Sequence, residues 1–180
     1  EYENLPPQDQ KTLQKAFDAA NSFAEHPAGW LVFMGGYATG KTHLAAAIGN
    51  YRKAMGGEPI FVVVPDLLDH LRATFSPSSS ISYDRRFEEV RSAPLLILDD
   101  LGTQSATPWA REKLYQLLNY RYNAQLPTVI TTAQTLEEID PRIRSRMLDK
   151  RICAVYGITA PGYLPTSTGS TRRRSPKRNA

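Results

Sequence analysis

The run WLVFMGGYATGKTHLAAAIGN (Trp30–Asn50) decides how the rest of the chain reads. Trp30–Met34 is a short, continuously apolar segment that ends in Gly35-Gly36, the pattern of a buried strand. Lys41–Lys53 then places Leu44, Ala45, Ile48 and Tyr51 on one side of a helix. Between strand and helix, Gly35-Gly36-Tyr37-Ala38-Thr39-Gly40-Lys41-Thr42 has the spacing G-x-x-x-x-G-K-[ST]. Glycines let such a loop curl so that its N–H groups point inward, and the helix that follows offers its positive end to an anion. Lys41 supplies a cation for the β- and γ-phosphates of a nucleotide, and the Thr42 hydroxyl supplies a ligand for Mg²⁺. Gly35, Gly36, Tyr37, Ala38, Thr39, Gly40, Lys41, Thr42 and His43 are therefore the candidate nucleotide-binding residues. The alternative, a glycine turn before an ordinary helix, sits poorly with this strand–loop–helix context.

Outward from this run, helices and strands alternate. Gln8–Glu25 has Leu13, Phe17, Ala20 and Phe23 at helical spacing and stops before Pro27 and Gly29. Pro59–Pro65 reads as a second strand and Pro65–Phe75 as a helix, followed by a polar loop at Ser76–Ser82. Tyr83–Ser92 is a short charged helix, Leu95–Leu98 a third strand, and Thr107–Asn123 a helix capped by Thr107. Pro127–Thr132 is a fourth strand, Leu136–Lys150 a helical stretch interrupted at Pro141, and Ile152–Ile158 a fifth strand. The strands are continuous apolar runs, which predicts a five-stranded parallel sheet sandwiched by helices. Ligands of such sheets bind at the carboxyl ends of the strands.

The third strand ends in Asp99-Asp100. A carboxylate there, beside the phosphate loop, suits Mg²⁺, and Asp99 takes that role alongside Thr42. Asp100 can polarise an attacking water as a general base, although its side chain is one methylene shorter than that of Glu. Without the loop upstream, two acids closing a strand would be an ordinary Asp turn.

Charge sorts the remaining classes. The 180 residues carry 22 Lys+Arg and 18 Asp+Glu, a formal net charge of +4. Five of the basic residues (Arg172, Arg173, Arg174, Lys177, Arg178) lie beyond Leu164, where there are no acids. The 17 that remain face 18 acids, so residues 1–163 carry a net −1, which argues against a uniformly basic DNA-binding domain. The division is thus a domain at 1–163 and a basic tail at 164–180, expected to be disordered. No apolar run approaches 18 residues, so no membrane partner is expected. The single cysteine, Cys153, excludes an internal disulfide and fits a reducing cytoplasm. Glu1 stands where an initiator Met is absent, which reads as a fragment or a processed chain.

Taken together, GGYATGKTHLAAAIGN, LLILDDLG, RYNAQLPTVITT and PRIRSRMLD resemble the AAA+ P-loop ATPases of the bacterial DnaC/DnaI helicase-loader type, a group that includes the transposition helper IstB. The resemblance covers residues 1–163. It implies ATP and Mg²⁺ as cofactors and an ATP-dependent oligomer with ATP bound between neighbouring copies. It also implies single-stranded DNA binding and a replicative helicase or a transposase as partner. Arg146 matches the arginine finger that reaches a neighbour's γ-phosphate, with Arg142 one turn earlier as a second contact. A guanidinium there offsets charge on the transferred phosphoryl group. Tyr2 matches a position expected near the adenine. Helicase loaders carry their partner-binding region before the ATPase domain; by that comparison this region has been cut away, or the ATPase stands alone. For DNA the candidates are Arg72, Arg85, Arg86 and Arg91, with pairing to Asp84, Glu88 and Glu89 as the competing reading.

Two positions depart from the family pattern. Ala133 stands where an Asn senses the γ-phosphate, with Thr132 or Gln134 as substitutes, and Leu164 stands where a second sensor arginine is common. The expectation is an ATPase that binds ATP but hydrolyses it slowly, with stimulation by a partner. A small P-loop kinase and a non-hydrolysing, ATP-switched adaptor remain the alternatives.

Overall fold

The computed structural model describes residues 5–73, 83–102 and 107–163. The serine loop at 76–82, Tyr2 and the tail 164–180 lie outside them. In chain order the elements are α1 (Pro7–Glu25), β1 (Trp30–Gly35), α2 (Lys41–Ala54), β2 (Pro59–Val63), α3 (Val64–Ala73) and α4 (Tyr83–Ser92). Then follow β3 (Leu95–Asp99), α5 (Pro108–Asn123), β4 (Thr128–Thr132), α6 (Pro141–Met147) and β5 (Cys153–Ile158).

The five strands form one sheet in the order β2-β3-β4-β1-β5, and every pairing is parallel. Successive side chains of a strand point to opposite faces, and here both faces are covered. Trp30 and Val32 of β1, with Leu96, Leu98 and Ile130, pack into a core shared with α3, α4, α5 and α6. Leu31 and Phe33, with Leu95, Ile97 and Val129, pack against α1 and α2. That double burial is why these strands read as unbroken apolar runs.

Two expected boundaries move. Pro65 does not close β2: the strand ends at Val63 and α3 begins at once with Val64. Proline lacks the N–H a ladder needs, and its fixed φ suits a first helical turn. The stretch Leu136–Lys150 supplies only the short α6, started by Pro141 and capped by the Asp140 carboxylate, which accepts from the Arg142 N–H at 2.9 Å. Elsewhere the expected elements form, including the Thr107 cap, whose hydroxyl accepts from the Ala110 N–H.

The sheet's amino ends are joined by a residue the sequence reading passes over. Arg121 of α5 is fully buried. Its guanidinium donates to the Thr128 hydroxyl (2.9 Å) and to the carbonyls of Arg91 (3.0 Å), Ala93 (2.8 Å) and Pro127 (2.6 Å). Burial pushes its pKa down from 12.5 to about 10, so it stays charged at neutral pH with only neutral acceptors around it. Cys153 is also buried, and desolvation pushes its thiol up to about 12. Truncating Arg121→Ala strands those carbonyls away from water and is expected to cost about 3 kcal/mol in urea denaturation. A loss below about 0.5 kcal/mol, the size of a surface change, would contradict this role.

Candidate functional site

The phosphate loop joins β1 to α2 at the carboxyl end of the sheet, and its shape is set by backbone that tolerates few side chains. Gly35 has φ +154°, and a Cβ there would lie 2.4 Å from the Ile158 carbonyl oxygen of β5. Gly40 precedes α2 in the left-handed conformation, and α2 then starts at Lys41 with no acidic residue in its first turn, leaving its positive end open to an anion. The Thr39 hydroxyl donates to the Gly36 carbonyl at 3.1 Å, closing the loop on itself.

Lys41 is buried, and its ammonium donates to the carbonyls of Gly35 (2.9 Å) and Gly36 (2.5 Å). Desolvation lowers its pKa, while the carboxylates of Asp100 and then Asp99 pull it back up. Asp100 follows β3 directly, and its carboxylate and that of Asp99 both favour the charged form of this lysine.

Asp99 is buried, and its Oδ1 accepts from Thr42 (2.9 Å) and from Thr131 of β4 (2.6 Å). A hydroxyl and a carboxylate in contact at the first turn of α2 form the hard oxygen donor set that Mg²⁺ prefers, so the residues present fit that ion. Sequence reasoning misses Thr131, because its place depends on strand order: Leu98 of β3 pairs with Ile130 of β4, which sets Thr131 beside Asp99. The Thr131 hydroxyl also accepts from the Asp100 N–H at 3.0 Å. Asp100 itself has φ +58°, a left-handed turn by which the chain leaves the sheet.

One of the two expected substitutes for the sensor, Thr132, is differently employed. Thr132 donates to the Leu101 carbonyl and accepts from the Gln134 N–H, so its hydroxyl braces the turn after β4. On β4 it is Thr131 whose hydroxyl touches the acidic pair.

The chain that follows β5 returns to the loop. The Tyr163 N–H donates to the Ala38 carbonyl at 3.0 Å, and a Cβ on Gly162 would lie 2.6 Å from the Tyr37 carbonyl oxygen. Tyr37 and Tyr163 are both largely exposed beside this contact.

The arginines lie apart from this cluster. Arg142 pairs with Glu112 (3.0 Å) and Asp140 (3.3 Å), and both carboxylates raise its pKa. This speaks against a second phosphate contact. Arg146 has neutral partners: it donates to the Arg142 carbonyl (2.6 Å), the Tyr115 hydroxyl (3.3 Å) and Asn119 Oδ1. Of the DNA candidates, Arg86 pairs with Glu89 at 2.9 Å, Arg91 pairs with Glu88 and stacks on Tyr120, and Arg72 lies near Asp69 and over Trp109. Those pairs follow the competing, solvated-surface reading. Among the described residues no group of three or more His, Cys, Asp or Glu could hold a metal, and no helix is long and apolar enough to cross a membrane.

A parallel sheet with both faces covered, a glycine loop feeding a helix and an Asp-bearing strand one position removed define a nucleotide-binding fold of the P-loop class. Within that class, the chain belongs to the family of IstB-like ATP binding proteins, whose model matches residues 1–154. It is 31% identical over 142 residues to the replicative helicase loader DnaC of Buchnera aphidicola subsp. Schizaphis graminum, a match covering 79% of this chain and 55% of that protein. The chain thus spans about half the length of the curated relatives it matches. Its fold is similar to a crystal structure of the DnaC helicase loader (TM-score 0.70, 23% identity, 81% of this chain and 89% of that one). A crystal structure of DnaI is also similar (TM-score 0.66, 26% identity, 83% and 82%).

The close approach at Gly162 gives a test. Gly162→Ala must push the Tyr37–Ala38 turn or lift residues 160–163 from it, and is expected to weaken ADP binding roughly tenfold, about 1.4 kcal/mol, in a fluorescent-nucleotide titration. Unchanged affinity would show that this contact does not shape the loop.

Proposed function

We propose that this chain is an ATPase module that binds ATP with Mg²⁺, assembles with further copies in an ATP-dependent way, and loads a replicative helicase onto single-stranded DNA. The observation that carries the ATP reading is the contact of Thr42, Asp99 and Thr131 beside the buried Lys41, with Asp100 acting on the same lysine. Lys41 meets the β- and γ-phosphates, and the loop N–H groups of Gly36–Lys41 surround them. Mg²⁺, when bound, offsets charge on those phosphates; Thr42 and Asp99 are the residues that would hold it. Asp100 orients and deprotonates the attacking water, and Arg146 of one copy meets the nucleotide held by another. The basic tail supplies DNA contacts of the salt-sensitive, phosphate-directed kind.

Helicase loading is favoured because curated relatives that the chain matches are replicative helicase loaders. Assistance to a transposase is the second reading, favoured by the IstB-like family model. Membership of this family displaces the small-kinase alternative.

Hydrolysis is expected to be slow and stimulated by the partner, because alanine at 133 cannot orient a water. Lys41→Ala should abolish ATP binding. Asp100→Asn should leave binding intact and lower turnover by about 100-fold, the scale of a lost general base. Turnover of many per second by the isolated chain would refute the slow-ATPase reading. Size-exclusion chromatography with and without ATP and single-stranded DNA tests assembly: a single small species under every condition would refute it.

A further inference from the structure

The arginines of α4, of α6 and of the turn after α6 differ in what neutralises them. Arg86 faces Glu89, Arg91 faces Glu88, Arg142 faces Glu112 and Asp140, and Arg151 faces Asp149. Each of these charges is matched by a carboxylate of the same chain. Arg146 is half-buried, and the partners the structure gives it are an amide oxygen, a phenol and a backbone carbonyl. Its guanidinium lies 5.0 Å from the Tyr115 ring centre and 5.5 Å from that of Tyr122. Its buried Nε–H has no acceptor among the described residues.

Neutral acceptors and aromatic faces hold a guanidinium in place without cancelling its charge. Such a group loses little further side-chain freedom when an anion arrives, and a weakly hydrated cation is the least costly to bring against a phosphate. Tyr115 and Asn119 sit one helical turn apart on α5, so they present ring, hydroxyl and amide to the same side. Tyr115 also carries Arg142 on its ring at 4.1 Å, and the Arg142 carbonyl in turn receives Arg146.

We infer that Tyr115 and Asn119 are positioning residues for Arg146, holding its guanidinium in place by neutral groups so that its charge stays available to an oxyanion from outside the chain, the terminal phosphate of a nucleotide held by a second copy. This rests on the reading of Arg146 as the residue that reaches a neighbour's nucleotide. Asn119→Asp tests it sharply, because the swap is nearly isosteric and gives Arg146 an internal carboxylate like the ones that neutralise Arg142. Asn123→Asp puts the same charge one turn further along α5 and serves as the control.

Self-association of the full chain is measured by sedimentation velocity with the slowly hydrolysed analogue AMPPNP and Mg²⁺, alongside thermal melting and binding of fluorescent ADP by the dilute protein. Arg146→Ala and Asn119→Asp should each weaken association about tenfold, the scale of one charge-assisted contact. The double variant should be no weaker than Arg146→Ala alone, and Asn123→Asp should be unchanged. Tyr115→Leu should weaken association several-fold, with Tyr115→Phe restoring most of it. ADP binding should be unaffected throughout, because the residue acts on another copy's nucleotide. Absence of AMPPNP-driven association, or association unaffected by Arg146→Ala, overturns the neighbour-contact reading and this inference with it. Weakening by Arg146→Ala but not by Asn119→Asp, weakening by Asn123→Asp to the same degree, or multiplied effects in the double variant overturns the positioning role alone.

Discussion

The Asp99 carboxylate accepts from Thr42 at 2.9 Å and from Thr131 at 2.6 Å, and this three-way contact joins the start of α2 to the ends of β3 and β4. A buried carboxylate without partners is costly, so its place fixes where both hydroxyls must be. The register of β3 on β4 follows suit, since a slip of one residue would turn Thr131 to the other face. The loop depends on the same constraint. Lys41 can remain buried because the carboxylates of Asp99 and Asp100 offset part of the desolvation its ammonium suffers.

Around that contact the molecule keeps polar chemistry to the carboxyl edge of the sheet and structural chemistry to the amino edge. At one edge stand Lys41, Thr42, Asp99 and Asp100. At the other, Arg121 bonds the segments that lead into β3 and β4. Both edges bury a cation, with opposite solutions. Lys41 is partly balanced by nearby acids, whereas Arg121 donates to three carbonyls and a hydroxyl and is closed to solvent. Arg146 represents a third case, a cation held by neutral groups at the surface, which suits contact with an anion from elsewhere.

Much of the fold was legible because double burial leaves a plain signature. β1 and β3 announce themselves as apolar runs and β4 as a β-branched one, all largely buried, whereas β5 is an edge strand with exposed interior positions; the loop's residue types follow from what a phosphate requires. The β2–α3 boundary is not legible in the sequence, because Pro65 is compatible with either element at its edge and the strand passes into the helix without a loop. Leu136–Lys150 shrank to α6 because Asp140 and Asp149 stop the chain with side-chain and backbone bonds that periodicity does not reveal. Thr131 and Arg121 escaped notice for a related reason. A threonine in a strand and an arginine in a helix look ordinary until the partner across the sheet is known.

The amino-acid sequence by itself determined the parallel, doubly covered sheet, the phosphate loop and the acidic pair, since each rests on local pattern and fixed spacing. Tertiary structure alone decided the strand order, with β4 inserted between the loop strand and the Asp99 strand, and therefore that Thr131 joins the site. It alone separated Arg142 from Arg146, two residues four apart in one basic run, by giving the first two carboxylates and the second only neutral partners. The physical reason is common to both: charge and hydrogen-bond partners come from segments about 30 residues away, as in the Thr131–Asp99 and Arg142–Glu112 contacts, and no spacing along one segment encodes which of its side chains they will meet.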